Sequence, residues 1–386
     1  MSTSYNFKYI ICGSGLAGST AARLLAEKGE AVLILEKLVH VGGSVYDCKD
    51  GTGILIHKYG PHIFHTNNKK VYDFLSRFTG WTDYQHRVLA KINDGYLPVP
   101  FNITALQKVY GSEKAEYLLR QLRDTFGSDT VSVMELRSSE NSALRELGDY
   151  IYNNIFLYYT MKQWGKAPSE IDPATTARVP VRLSEDDRYF TDKYQGMPDK
   201  GYTALISNML RHENITVQTS CDALNRLKFI SGKIYFDGIE TGSKIIYTGE
   251  TDRLFDFKYG ALPYRTLDFR FETLNCDSYQ PCATVNYTVS ENFTRITEFK
   301  KLTGQRADGY TTIMKEYPRD YNGEESGDIP YYPVSCEESS ALYRKYTDEC
   351  KMYPELHLLG RLAEYKYYNM DGVVARAMDI VDKLYN

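Results

Sequence analysis

The chain is short of cysteine, of excess charge and of long apolar runs, and each shortage removes a class of protein. Its 386 residues include seven cysteines, an odd number with no C-x-x-C pair. That count and spacing argue against both a disulfide framework and a zinc site. Lys and Arg total 46 against 50 Asp and Glu, a net charge of -4. Such a balance does not point to nucleic acid or to an anionic membrane surface. No apolar run approaches the ~20 residues that a membrane-spanning helix needs. The stretch from Met1 to Phe7 is too short and too polar for a signal peptide, so the expected location is the cytoplasm. In that setting the N-x-T sequons at Asn102, Asn214, Asn286 and Asn292 carry no weight.

What is present is a globular composition, 42% hydrophobic and 25% charged, in a chain long enough for two or three domains. The 34 tyrosines stand out. Their flat apolar bodies and hydroxyl tips suit sugar and base surfaces, and suit half-buried packing equally well.

The organising stretch runs from Lys8 to Glu36. Tyr9-Ile10-Ile11-Cys12 reads as a short buried strand, and Gly13-Ser14-Gly15-Leu16-Ala17-Gly18 matches G-x-G-x-x-G. Leu16, Ala21, Ala22, Leu24 and Leu25 then recur at helical spacing, with Gly29 where a helix would stop. A second apolar run, residues 31–35, ends on Glu36. Strand, glycine turn, helix, strand and acid are the parts of a dinucleotide-binding unit. The glycines let backbone approach a pyrophosphate at the helix N-terminus, and the acid takes a ribose hydroxyl. The motif alone does not choose between a nicotinamide and a flavin. The second glycine pair, Gly42-Gly43, directly after the acid favours FAD.

Further along, residues 54–59 read as a strand closed by Gly60-Pro61, and residues 71–78 as an amphipathic helix. His62 and His65 are three apart, but no acidic or cysteine ligands cluster with them, so no metal is expected. Residues 88–92 and 96–99 flank Asn93-Asp94-Gly95, a hairpin signal. Helical periodicity fills residues 103–165, enough for about five helices. The proline-marked stretch 166–180 reads as a loop, residues 181–202 as polar and aromatic, and residues 204–210 as a helix. Short strands follow at 215–217, 227–230, 233–236 and 243–247, the last resembling the return strand of a dinucleotide sheet. Alternating strands at 264–271, 283–287, 295–299 and 311–317 suggest an antiparallel sheet, and the chain ends on a strand at 356–361 and a helix at 373–384. The expected fold class is α/β. It comprises a Rossmann-like FAD-binding domain (1–85 with 203–255 and 335–386), an inserted helical domain (103–175) and an inserted antiparallel sheet domain (86–102 with 176–202 and 256–334).

Nine blocks, in order, resemble the bacterial UDP-galactopyranose mutase family. They begin with Tyr59-Gly60-Pro61-His62-Ile63-Phe64-His65-Thr66, Tyr159-Thr160-Met161-Lys162-Gln163-Trp164-Gly165 and Arg178-Val179-Pro180-Val181-Arg182. Tyr194-Gln195-Gly196-Met197-Pro198, Tyr264-Arg265-Thr266-Leu267-Asp268-Phe269 and Thr294-Arg295-Ile296-Thr297-Glu298 continue the series. The last three are Lys315-Glu316-Tyr317, Asp328-Ile329-Pro330-Tyr331-Tyr332-Pro333 and the run from Gly360 to Tyr367.

The resemblance implies an isomerase that uses reduced FAD to contract UDP-galactopyranose to UDP-galactofuranose without net redox change. In that chemistry a flavin N5–sugar adduct forms while UDP leaves and returns. It also implies a homodimer formed through the helical domain. Arg178 and Arg295 fall at the family's diphosphate arginines, and His62 at the loop histidine against the flavin. Asn102, Phe156, Trp164, Tyr189, Asn286, Tyr332 and Tyr367 fall at substrate positions. Ser14, Gly15, Gly18, Glu36, Lys37, Gly43, Ser44, His62, Ile63, Gly360, Arg361, Asn369 and Met370 fall at cofactor positions. Two departures are visible: Ser44 where the family has Asn, and Asn369 where it has Asp. The competing readings are an FAD oxidoreductase of the amine-oxidase type, which would need neither arginine, and a weakened UDP-sugar-binding homologue, motivated by Asn369.

Overall fold

The computed structural model describes residues 7–93, 95–170, 179–323 and 328–385. Strand β1 (Tyr9–Cys12), helix α1 (Leu16–Glu27) and strand β2 (Val32–Leu35) form the expected unit at the N-terminus. β1 pairs in parallel with β2 on one side and with Lys244–Tyr247 on the other. Ile215–Gln218 and Leu356–Leu358 complete a five-stranded parallel sheet. Every residue of β1 and β2 is buried, because helices and loops cover both faces. A doubly covered strand has no solvent side, and that is why these runs are continuously apolar. On one face, Tyr9 and Ile11 pack with α1 and the helices Tyr202–Leu210 and Met370–Tyr385. On the other, Ile10, Cys12, Leu33 and Leu35 pack with Leu227, Ile234 and Tyr353.

A seven-stranded sheet stands beside it. Its order is Tyr332–Pro333, Tyr264–Leu274, Thr311–Asp320, Arg295–Glu298, Thr284–Tyr287, Val88–Ile92 and Gly95–Val99. All neighbours are antiparallel except Thr284–Tyr287 with Val88–Ile92. The register sets Asn286, Arg295, Glu316 and Phe269 in one row across four strands. Asp94, in the hairpin turn, lies outside the described residues.

Several elements differ from expectation, each for a local reason. The helix expected at 71–78 is Lys69–Leu75. Asn68 caps it, accepting from the Lys70 and Val71 amides, so it starts before its apolar stripe. Tyr194–Pro198 is a strand, paired with Phe64–Thr66 and Trp81–Thr82. Its pairing is non-local, which a local reading of polar and aromatic residues does not reveal. The helical stretch divides as expected. Ile103–Phe126 is two helices that meet at a kink at Gly111, whose backbone is not helical, and Val133–Arg137 is a short one. Ser142–Ile151 and Leu157–Trp164 are joined by a π turn, Tyr152–Phe156.

Candidate active site

The glycine turn between β1 and α1 leaves backbone where side chains would block a ligand. Gly13 has φ +107°, and a Cβ there would run into the Thr248 hydroxyl. A Cβ on Gly18 would run into the Gly13 carbonyl oxygen. Gly15 caps α1 without any side-chain bond, so the first amides of the helix face the cavity beside it. Gly42 bridges to Gly15, and Gly43 packs so closely that its Cβ would lie 3.1 Å from the Gly15 Cα. Glu36 is buried. Its Oε2 accepts from the Ser14 amide at 2.8 Å and hydroxyl at 2.6 Å, and its Oε1 from the Leu38 amide at 2.9 Å. A carboxylate has about four acceptor sites, so one remains for a ribose hydroxyl.

One cavity is lined by Gly15, Glu36, Lys37, Gly43, Ser44, His62, Gly360, Arg361, Asn369 and Met370. Glycine-only backbone, free helix amides and a buried acid are the features a dinucleotide requires, and these residues fit FAD. Ser14, Gly18 and Ile63 stand behind that wall: Ser14 holds Glu36, Gly18 underlies Gly13, and Ile63 packs on the core. Asp222, Thr248, Glu250, Arg253 and Tyr331 also line the cavity and were not among the expected site residues. Thr248 was within reach of sequence reasoning, because it follows the carboxyl end of a parallel strand, where α/β sheets bind ligands.

His62 is fixed as a neutral ring. Its Nδ1 lies 2.8 Å from the Gly60 carbonyl, which can only accept, so Nδ1 carries the proton and Nε2 a lone pair. Burial, with His57, Arg361 and Arg295 adding, pulls its pKa down to about 3. Its amide donates to Nδ1 of His57 at 3.0 Å. His65 turns elsewhere, to Asp192 at 3.0 Å and onto the Phe190 ring.

Next to this cavity lies a cluster of tyrosines and arginines. Arg295 donates its Nε to Glu316 at 2.6 Å. Burial works against the Arg295 charge, but the Glu316 carboxylate outweighs it and holds its pKa above the usual range. Burial keeps the Tyr159 and Tyr332 phenols protonated, so they remain donors. Tyr332 and Tyr367 stack at 6.2 Å, and the Arg361 guanidinium lies 5.7 Å from one ring and 4.9 Å from the other. Arg361 is held by the carbonyls of Tyr331 at 3.2 Å and Tyr368 at 2.8 Å. Asn286 sits opposite Arg295 in the sheet. Tyr189 packs edge-on to Phe190 and His86, and Trp164 ends the helix that carries Tyr159.

Two expected substrate residues are committed to the fold. Asn102 is 1% exposed, caps the long helix through the Ala105 amide and donates to the Glu185 and Asp186 carbonyls. Phe156, 8% exposed, packs into the core of the helical region. Arg178 lies outside the described residues.

A family model described as UDP-galactopyranose mutase matches residues 154–367, and one described as NAD(P)-binding Rossmann-like domain matches residues 11–78. A Klebsiella pneumoniae protein named probable UDP-galactopyranose mutase is 35% identical, over 98% of this chain and 94% of its own. The chain belongs to the UDP-galactopyranose mutase family. Membership makes it an isomerase, with the Rossmann-like domain of a flavoprotein. An Escherichia coli protein named dTDP-fucopyranose mutase is also 35% identical, over 96% of this chain and 97% of its own. The crystal structure of a reduced UDP-galactopyranose mutase aligns with a TM-score of 0.68 at 16% identity, over 98% of this chain and 94% of that one. At that identity it shows a shared fold. No described helix is long and apolar enough to cross a membrane.

Proposed function

We propose that this family member interconverts UDP-galactopyranose and UDP-galactofuranose with FAD in its reduced form and no net redox change. Bound reduced FAD supplies the nucleophile, N5, for the anomeric carbon of the sugar. The chain's own residues bind, orient and hold charge. Arg295, kept cationic by Glu316, grips the diphosphate as it is detached, and Arg178 is its partner in that role. The Tyr332 and Tyr367 phenols donate to the same group. Tyr189, Trp164 and Asn286 line the sugar. His62 offers a neutral acceptor at the cofactor edge. The same reading takes the chain as three units with the boundaries given above, as a homodimer through its helical unit, and as cytoplasmic.

The observation that carries this reading is the position of Arg361. It lines the dinucleotide cavity and also lies over both Tyr332 and Tyr367, so a nucleotide sugar whose diphosphate is held by those phenols abuts a bound cofactor. An amine oxidase needs no such phosphate-binding wall.

A second reading is favoured by one observation, the equal 35% identity to the dTDP-fucopyranose mutase. In that reading the sugar is a 6-deoxy hexose on dTDP. One experiment addresses both. Holoprotein is incubated with UDP-galactofuranose or dTDP-fucofuranose, with and without dithionite, and the products are resolved. Pyranose formed only under reduction is expected, with the UDP sugar preferred. Turnover without reductant, or consumption of an oxidisable amine, would overturn the proposal.

A further inference from the structure

We propose that Lys162 is a positioning residue that pins the aromatic helix of the cleft onto the turn carrying Asn286 and Arg295. The proposal rests on the cleft assignment above and deepens it. Helix Leu157–Trp164 carries Tyr159 and Trp164, yet none of its residues is fully buried. Core burial holds the turn before it, through Ile155 and Phe156, but no side chain of the helix itself. Lys162 Nζ donates to three carbonyls, those of Tyr287 at 2.6 Å, Glu291 at 2.9 Å and Phe293 at 3.1 Å. An ammonium has three protons, so all of them are taken up. A surface lysine ordinarily gives them to water.

The three carbonyls belong to the turn between strands Thr284–Tyr287 and Arg295–Glu298. Those strands set Asn286 directly opposite Arg295. Lys162 thus joins the aromatic wall to the cationic wall at one point. From the other side Arg265, 5% exposed and paired with Asp320, donates to the Gln163 carbonyl at 3.1 Å and the Lys162 carbonyl at 3.4 Å. Gly165 ends the helix at φ +63°, and a Cβ there would lie 2.8 Å from the Arg265 guanidinium. The helix is held by a cation of its own reaching the sheet and by a cation of the sheet reaching it. Lys162 does not line the cofactor cavity. Its loss should therefore weaken substrate binding and leave the flavin in place.

The test is calorimetric titration of oxidised holoprotein with UDP, alongside steady-state kinetics under dithionite. Lys162→Met should weaken UDP binding and raise KM by about tenfold, with kcat within about twofold of wild type, the signature of lost uniform binding. FAD content and flavin spectrum should be unchanged. Lys162→Arg keeps the charge, but its planar fork does not converge on three carbonyls, so it should recover part of the affinity. If Lys162→Met does not fold, Lys162→Gln, whose amide keeps two donors, takes its place with an intermediate loss expected. Wild-type affinity in Lys162→Met, or in Lys162→Gln where it takes its place, overturns the inference, while UDP binding by the wild type upholds the cleft assignment. Failure of the wild type to bind UDP overturns both.

Discussion

Arg295 and Glu316 face each other on neighbouring antiparallel strands, and the Arg295 Nε donates to the Glu316 carboxylate at 2.6 Å. The two are buried unequally: the Glu316 side chain is 1% exposed, the Arg295 side chain 26%. The carboxylate depends on the pair, whereas the guanidinium remains partly exposed.

That inequality gives the first prediction. Arg295→Met strands a buried anion, which costs about 3–5 kcal/mol. Glu316→Gln leaves an arginine that still reaches water, and it should cost less. The double variant Arg295→Met/Glu316→Gln should recover most of the stability lost in Arg295→Met. Turnover should stay down by more than about tenfold in both Arg295 variants, with FAD still bound. Urea midpoints and the mutase assay read the two effects separately. A double variant no more stable than Arg295→Met would remove the pairing argument.

The glycine turn yields a second. Alanine at position 18 should by helix propensity alone stabilise α1 by about 1 kcal/mol. Its Cβ, however, would press on the Gly13 carbonyl oxygen and displace the turn. Gly18→Ala should therefore purify with less FAD and bind it at least about tenfold more weakly. Gly51→Ala is the control, because a Cβ there meets nothing within 4 Å. Absorbance of the flavin released by acid gives the occupancy. Full loading of Gly18→Ala would show that the turn tolerates the methyl.

A third concerns acid. Burial pulls His57, His62 and His86 from the ordinary 6.5 down to about 3. Between those values the unfolded chain binds the protons that the folded chain refuses. Stability is therefore complete above about pH 6.5 and falls as pH drops toward 3. Each histidine contributes up to about 1.4 kcal/mol per pH unit. Tm should fall steeply between pH 6.5 and pH 4.5. His57→Asn, whose Oδ1 can still accept the His62 amide, should flatten that fall by less than about a third, because burial lowers His357 as well. An unchanged slope would place the acid sensitivity in other groups.

These sites were unequally legible in the sequence. The parallel sheet and its glycine turn could be read because each part is local: four apolar residues, three spaced glycines and an acid. The tyrosine–arginine cluster was reached through resemblance alone. Its row of Asn286, Arg295 and Glu316 is set by strand register, which no local pattern encodes. The π turn Tyr152–Phe156 adds a residue to a helix without disturbing its apolar spacing enough to be seen. At Asn102 a local signal was present as well: an asparagine before a helical run is a cap signal, and Asn102 caps the helix that follows it. At Lys162 the sequence carries no local sign of its contacts, because its partners are backbone carbonyls more than a hundred residues away.

The last prediction concerns Asn369, which stands where the family resemblance leads one to expect Asp. Asn369 is exposed at the start of the helix Met370–Tyr385, lines the dinucleotide cavity, and accepts the Val373 amide with its carbonyl. The neighbouring acid does not substitute for the missing charge. Asp371 is occupied by the Thr66 hydroxyl at 2.8 Å and the Gly372 amide at 2.7 Å. A carboxylate at 369 would meet the positive end of the helix, worth about 0.3–1 kcal/mol. Its charge-assisted bonds would exceed those of the amide by about 1 kcal/mol, which corresponds to about fivefold in rate. Asn369→Asp should thus raise Tm slightly and raise kcat/KM for UDP-galactofuranose several-fold under dithionite. The wild-type chain is then a working enzyme slowed by one neutral side chain. A kcat/KM that is unchanged or lower would mean that the surroundings have adapted to the amide, with the new charge repelling the diphosphate, and the slowed-enzyme account would fail even if Tm rises.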